Sequence, residues 1–229
     1  QLGVVRKGIQ YRLEGALVGN QSHVLTVCQG TISYKGALMK GQTMVEANYH
    51  QGVPWWGAKK DPSPAAANMY QAQFKKINLE FTWVRFFQLP QQRLLHYQLH
   101  GAVQYSPDTL FSSEQWFLTG LNRIRGLKSN SELNQGFFFR NEFSLLRMLS
   151  FNRWLAPLQF FAGVEGGNGK LPTTFEGATH ITWGGALGCR YQHPWVSADL
   201  TYAHSFPPQD KSSGKLYLNV NVSLHHLLK

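Results

Sequence analysis

Arg125 stands between a branched apolar residue and a glycine, in the run Ile124-Arg125-Gly126-Leu127, where the chain turns between two alternating segments. A guanidinium there carries a permanent charge and a fork of donors, so its chemistry is the holding of carboxylates or carbonyls. A second charged set follows in Arg140, Glu142 and Ser144, which share one face of a strand-like segment opposite Phe139, Asn141 and Phe143. Little else points to chemistry. The 12 Asp and Glu residues are dispersed, and no nucleophile–His–acid set or phosphate loop is present, so these residues predict no enzyme. The nine histidines show no HxH or HExxH pattern. The adjacent His225-His226 would point to opposite faces of a strand and could not chelate together. Cys28 and Cys189 lack the spacing of a metal site; they read as two small weakly polar residues or, in an oxidising compartment, as a disulfide. Neither a metal nor a cofactor is expected.

The elements that would position these residues are strands. Leu216, Leu218, Val220, Val222 and Leu224 alternate with Tyr217, Asn219, Asn221, Ser223 and His225, a period of two that a helix cannot use. Leu95, Tyr97, Leu99, Gly101, Val103 and Tyr105 oppose His96, Gln98, His100, Ala102 and Gln104 in the same way. About eleven such segments are predicted, near 7–19, 23–36, 42–53, 70–88, 93–106, 112–120, 136–147, 157–167, 178–193, 195–206 and 214–227. Most reach the ~10 residues that a tilted membrane strand needs, whereas soluble strands average ~5–6.

Composition agrees. Charged residues make up 15% and aromatics 14% of the chain, while mean hydropathy is −0.28. No run approaches the ~18 apolar residues of a spanning helix. A transmembrane barrel gives such an average, because each strand turns one face to lipid and one to water; a soluble all-β protein gives it too. The net charge of +10 is scattered, without the basic stripe and stacked aromatics of a nucleic-acid surface. Trp83, Trp116, Trp154, Trp183, Trp195, Tyr105 and Tyr202 are placed as interfacial girdles would be. Short connections near 20–22, 90 and 194 and long ones near 60, 127, 170 and 210 match the turns and loops of an outer-membrane barrel, with the Lys40-Gly41 turn misplaced on the long-loop side. The chain starts at Gln1 without a charged-then-apolar leader, which is compatible with an exported protein whose signal has been removed.

From Phe81 to Gly167 the order of motifs becomes specific: Gln104-Tyr105-Ser106, then Leu110-Phe111-Ser112-Ser113-Glu114-Gln115-Trp116, Gly120, Ile124-Arg125-Gly126-Leu127 and Arg140-Asn141-Glu142. This resembles the two-partner secretion transporters of the ShlB/FhaC/HecB type, in the BamA-like barrel superfamily, whose loop carries a VRG(Y/F) signature. Thr119 departs from the family's first glycine and Leu127 from its aromatic residue. The resemblance implies an all-β fold, an antiparallel transmembrane β-barrel of which residues 1–229 are the C-terminal part, about eleven of sixteen strands. The first strands and the periplasmic POTRA domains would lie outside this chain. It further implies a bacterial outer-membrane pore that secretes a partner polypeptide, with outer-membrane lipid and lipopolysaccharide around it and no nucleic acid. A BamA-like assembly factor and the anchor barrel of a self-secreted patatin-like enzyme belong to the same superfamily; a soluble all-β binding protein is the reading of another class. The resemblance also implies that the loop folds into the barrel and that Arg125 meets an acidic residue on the inner wall. The matching segment places Glu165 where the family has aspartate, with Gly167 in the following glycine position. Arg140 and Glu142 would join a lumen network. By pattern alone, Arg125 is a solvated loop arginine and Glu165 a strand-end charge.

Overall fold

The computed structural model describes residues 1–9, 12–13, 16–17, 23–62, 69–91, 93–127, 132–146, 157–170, 179–206 and 214–223. Its strands in chain order are β1 (Leu2–Ile9), β2 (Arg12–Leu13), β3 (Ala16–Leu17), β4 (His23–Leu38), β5 (Gly41–Val53), β6 (Lys75–Gln88) and β7 (Leu94–Tyr105). They continue with β8 (Trp116–Phe117), β9 (Glu132–Leu133), β10 (Gln135–Leu146), β11 (Leu158–Lys170), β12 (Thr179–Gln192), β13 (Val196–Phe206) and β14 (Gly214–Val222). Ten of these form one sheet in the order β1-β4-β5-β6-β7-β10-β11-β12-β13-β14. Every pairing in it is antiparallel between neighbours in that order, and β2-β3 and β8-β9 are small separate ribbons. Among the described residues β1 and β14 each pair on one side only.

Alternation sets the two faces. On β14, Leu216, Leu218, Val220 and Val222 point away from the concave side and are more than half exposed. Leu187, Val164, Phe143, Ile77 and Ile32 continue this apolar exterior across the sheet. So large a hydrophobic surface is an interaction surface rather than a water-facing one, and in a sheet of long tilted strands its solvent is lipid. One exterior polar group is locally satisfied: Tyr97 donates its hydroxyl hydrogen to Asn141 Oδ1 at 2.6 Å, with the Tyr97 ring against Phe143.

The structure departs from the sequence pattern in several places. Residues 112–120 do not form a long strand: a short 3-10 turn, Ser112–Glu114, and the two-residue β8 take their place. The apolar alternation of Trp116 and Leu118 is satisfied by burial inside the concave face rather than by a sheet ladder. Trp116 is therefore a core residue and not part of an interfacial girdle. The first long strand is Leu2–Ile9, and the strand expected from residue 70 starts at Lys75. Among the described residues the sheet thus has ten long strands rather than the eleven expected. The turn at Met39-Lys40, where both residues have positive φ, joins β4 and β5 at the same end as the turns at 89–93 and 193–195, so its shortness fits. Cys28 and Cys189 are free thiols on β4 and β12. Trp154, His225-His226, the turn at 20–22 and residues 171–178 and 207–213 lie outside the described residues.

Candidate functional site

The segment between β7 and β10 folds back over the concave face. Its base is tied first: Ser106 donates its hydroxyl hydrogen to the Lys75 carbonyl at 2.8 Å, and the Lys75 N–H donates to Asp108 Oδ2 at 2.7 Å. Leu110 and Phe111 then bury against Leu25, Val27, Ala72 and Phe74. Further on, Trp116, Leu118, Ile124, Leu127 and Leu133 close a second apolar cluster against Phe138 of β10 and Ala102 of β7. A loop between strands normally lies on the surface. This one carries enough apolar side chains to fill the inside instead, and burying each is worth roughly 1.5–3 kcal/mol.

The tip delivers Arg125 to the wall. Its side chain is 2% exposed, and those of its two carboxylate partners are 0% for Glu165 and 4% for Glu142. Glu165 on β11 takes both the guanidinium Nε–H and the Arg125 backbone N–H, one on each oxygen. The Nη2 of Arg125 donates to Glu142 Oε2 on β10 at 3.0 Å. One guanidinium therefore bridges two carboxylates on neighbouring strands. The network runs on through Arg190 of β12, which donates to Glu142 at 2.6 Å and to Asp199 of β13 at 2.8 Å. Arg125 and Arg190 both lie over the Phe161 ring. Buried charges are tolerated when paired and hydrogen-bonded, and here each carboxylate meets a guanidinium.

The bed is built from small residues. A Cβ on Gly167 would come within 2.9 Å of Ile124 Cδ1 and 2.6 Å of the Phe137 carbonyl. Gly126 has φ +85° and lies against the backbone of His204, so it answers both a left-handed turn and a close approach. Its N–H donates to the Tyr217 hydroxyl at 3.4 Å, and Lys215 reaches the Leu127 carbonyl. Arg140 faces the same side but does not join the carboxylates by hydrogen bonds; it donates to the Leu121 carbonyl at 2.9 Å.

Of the residues singled out in the sequence, Ile124, Arg125, Gly126, Leu127, Glu142, Glu165 and Gly167 come together in one place, and Arg140 holds the same loop from its side. Arg190 and Asp199 carried no sequence signal beyond their alternation register. Glu114 was legible only as one letter of a motif. It is nearly fully buried, with Lys7 of β1 at 2.6 Å and Lys76 of β6 at 2.8 Å. Burial alone would raise the pKa of its carboxyl; the two ammonium groups outweigh that and hold it below the ordinary value of 4.5. The described residues contain no group of His, Cys, Asp and Glu able to hold a metal.

An antiparallel sheet of long strands with an apolar exterior, a polar interior and a loop pinned to that interior defines the wall of a transmembrane β-barrel. The model of the haemolysin secretion/activation protein family ShlB/FhaC/HecB matches residues 1–191. The chain belongs to that family, whose barrels reside in the bacterial outer membrane. It is 28% identical over 201 residues to the outer membrane transporter CdiB of Dickeya dadantii (strain 3937), covering 86% of this chain and 34% of that protein. It is 25% identical over 200 residues to the outer membrane transporter CdiB of Escherichia coli, covering 85% of this chain and 33% of that one. The solved structure of CdiB from Escherichia coli superposes with a TM-score of 0.80 at 22% identity, over 96% of this chain and 41% of that one. CdiB from Acinetobacter baumannii gives 0.76 at 16% identity, over 96% and 37%. The chain spans about a third of the length of the CdiB relatives it matches.

Proposed function

We propose that this chain is the C-terminal part of an outer-membrane pore that secretes a partner polypeptide, and that the loop between β7 and β10, described over residues 106–127 and 132–134, is its plug. Arg125 is the residue that holds the plug, and Glu165 and Glu142 are its inner-wall partners. The observation that carries this reading is the burial of one loop guanidinium between two carboxylates of adjacent wall strands. A loop that served only to cap the barrel would have no need of a charged contact so deep; a loop that must leave and return benefits from one that water can replace. The Gln, Asn, Ser and Thr residues of the inward positions, such as Gln98, Ser144, Gln159, Thr201 and Asn219, would give a passing backbone neutral hydrogen-bonding partners.

Sequence outside this chain would supply the remaining wall. Against a sixteen-stranded barrel the ten strands leave about six to be found, and their absence would expose backbone groups of β1 and β14 to lipid at several kcal/mol each. The POTRA segments that recognise the client would precede them.

The test is Arg125→Ala in the native protein. Channel openings in planar bilayers and secretion of the partner polypeptide are measured, with barrel insertion checked by heat-modifiable mobility. The expected result is an inserted barrel with frequent openings and altered secretion. Unchanged conductance together with unchanged secretion would overturn the assignment.

A further inference from the structure

The loop meets the wall at two charged points, and the second does not involve the arginine. Glu114 lies at the end of the 3-10 turn, on the arm of the loop nearer β7, and its side chain is 1% exposed. Its Oε1 accepts from Lys7 Nζ of β1 at 2.6 Å, and its Oε2 faces Lys76 Nζ of β6 at 2.8 Å. Lys76 also donates to the Glu114 carbonyl at 2.9 Å, and Gln104 of β7 reaches that carbonyl at 3.4 Å. The Arg125 anchor lies on β10 and β11. In the sheet order, β1 and β6 stand on one side of β7, and β10 and β11 stand on the other. The two anchors therefore tie the two arms of the loop to different halves of the wall.

Packing alone does not require a carboxylate at this position. Leu110, Phe111 and Phe74 stand in the neighbouring cluster, and apolar side chains in place of Glu114, Lys7 and Lys76 together would extend it with no charge to desolvate. A buried glutamate held by two lysines fixes one docked position, because sliding the arm leaves three charges unpaired. It also releases cleanly, because water re-solvates all three groups once they part.

We infer that Glu114 is a second latch on the plug: a positioning residue that holds the near arm through Lys7 and Lys76, independently of Arg125. Full displacement of the loop then requires both ion clusters to open. This rests on the reading of the loop as a plug, and the experiment separates the two. Channel openings of the native protein are recorded for Glu114→Gln, Glu114→Asp, Arg125→Ala and the double variant E114Q/R125A. Glu114→Gln raises the frequency of openings about tenfold, Glu114→Asp, which keeps the charge, restores closure at least in part, and the double variant opens more than either single one. If Arg125→Ala opens the channel and Glu114→Gln does not, the second latch is wrong and the plug stands. If neither opens it, the plug itself is wrong. Should Glu114→Gln fail to insert, Lys7→Met removes one partner from a side chain that is already 36% exposed; a smaller rise in openings supports the latch, and no rise overturns it.

Discussion

At the residue scale the site depends on geometry that only arginine supplies. Nε and Nη2 of Arg125 point to carboxylates on two different strands, while its own backbone N–H serves the second oxygen of Glu165. A lysine is a point charge and cannot span both partners. Arg125→Lys is therefore expected to open the channel nearly as often as Arg125→Ala, measured by single-channel recording. Loss of the Glu165 charge in Glu165→Gln leaves the guanidinium buried with Glu142 alone and weakens docking of the loop by roughly 3–5 kcal/mol. The readout is the rate of proteolytic cleavage within residues 106–134. Gly126→Ala tests the backbone instead: at φ +85° beside the His204 main chain, a methyl group costs roughly 1–3 kcal/mol and should raise the same cleavage rate.

At the scale of elements, each strand has one lipid face and one lumen face, and this is open to a direct test on β14. Leu218 points outward and Asn219 inward. Leu218→Arg is expected to destabilise the barrel by about 2–4 kcal/mol if it lies near the bilayer midplane, and Asn219→Arg by far less, measured by urea unfolding in lipid vesicles. Equal effects would mean that the faces are misassigned. This alternation was legible from the sequence, because a period of two needs only neighbours along the chain. The segment 112–120 shows where such reading stops. Trp116, Leu118 and their neighbours alternate as a strand does, yet they find burial in a folded loop, and pattern cannot say which partner provides it. The turn at Met39-Lys40 lies at the same end as the turn at 89–93, because two strands, β5 and β6, separate them, and the same count is available from the sequence.

At the scale of the whole molecule, the loop is held at both of its arms, and pH acts on the two holds through their carboxylates. For Glu114 the sign is clear. Burial raises its pKa, but Lys76 and Lys7 together bring it below 4.5. A depressed folded-state value contributes stability above the ordinary carboxylate range, and that contribution is lost as pH falls through the folded value. The Glu114 latch should therefore hold from neutral pH down to about pH 5, so channel openings in the Glu165→Gln variant, where Glu114 carries more of the hold, should not increase over that interval. A rise in openings before the carboxylate range is reached would show that another group controls the arm.

The sequence by itself determined most of the long strands, the orientation of Arg140, Glu142 and Ser144, the family, and the pairing of Arg125 with Glu165 as the family resemblance implies it. These follow from short-range periodicity and from a motif whose order is read along one line. Only the tertiary structure decided that Glu142 shares the same guanidinium, that Arg190 and Asp199 extend the network across β12 and β13, and that Lys7 and Lys76 converge on Glu114. Lys7 and Glu114 are 107 positions apart in the chain. Contacts of that kind are set by which strands become neighbours and by where a folded loop comes to rest, and no local pattern of residues encodes either.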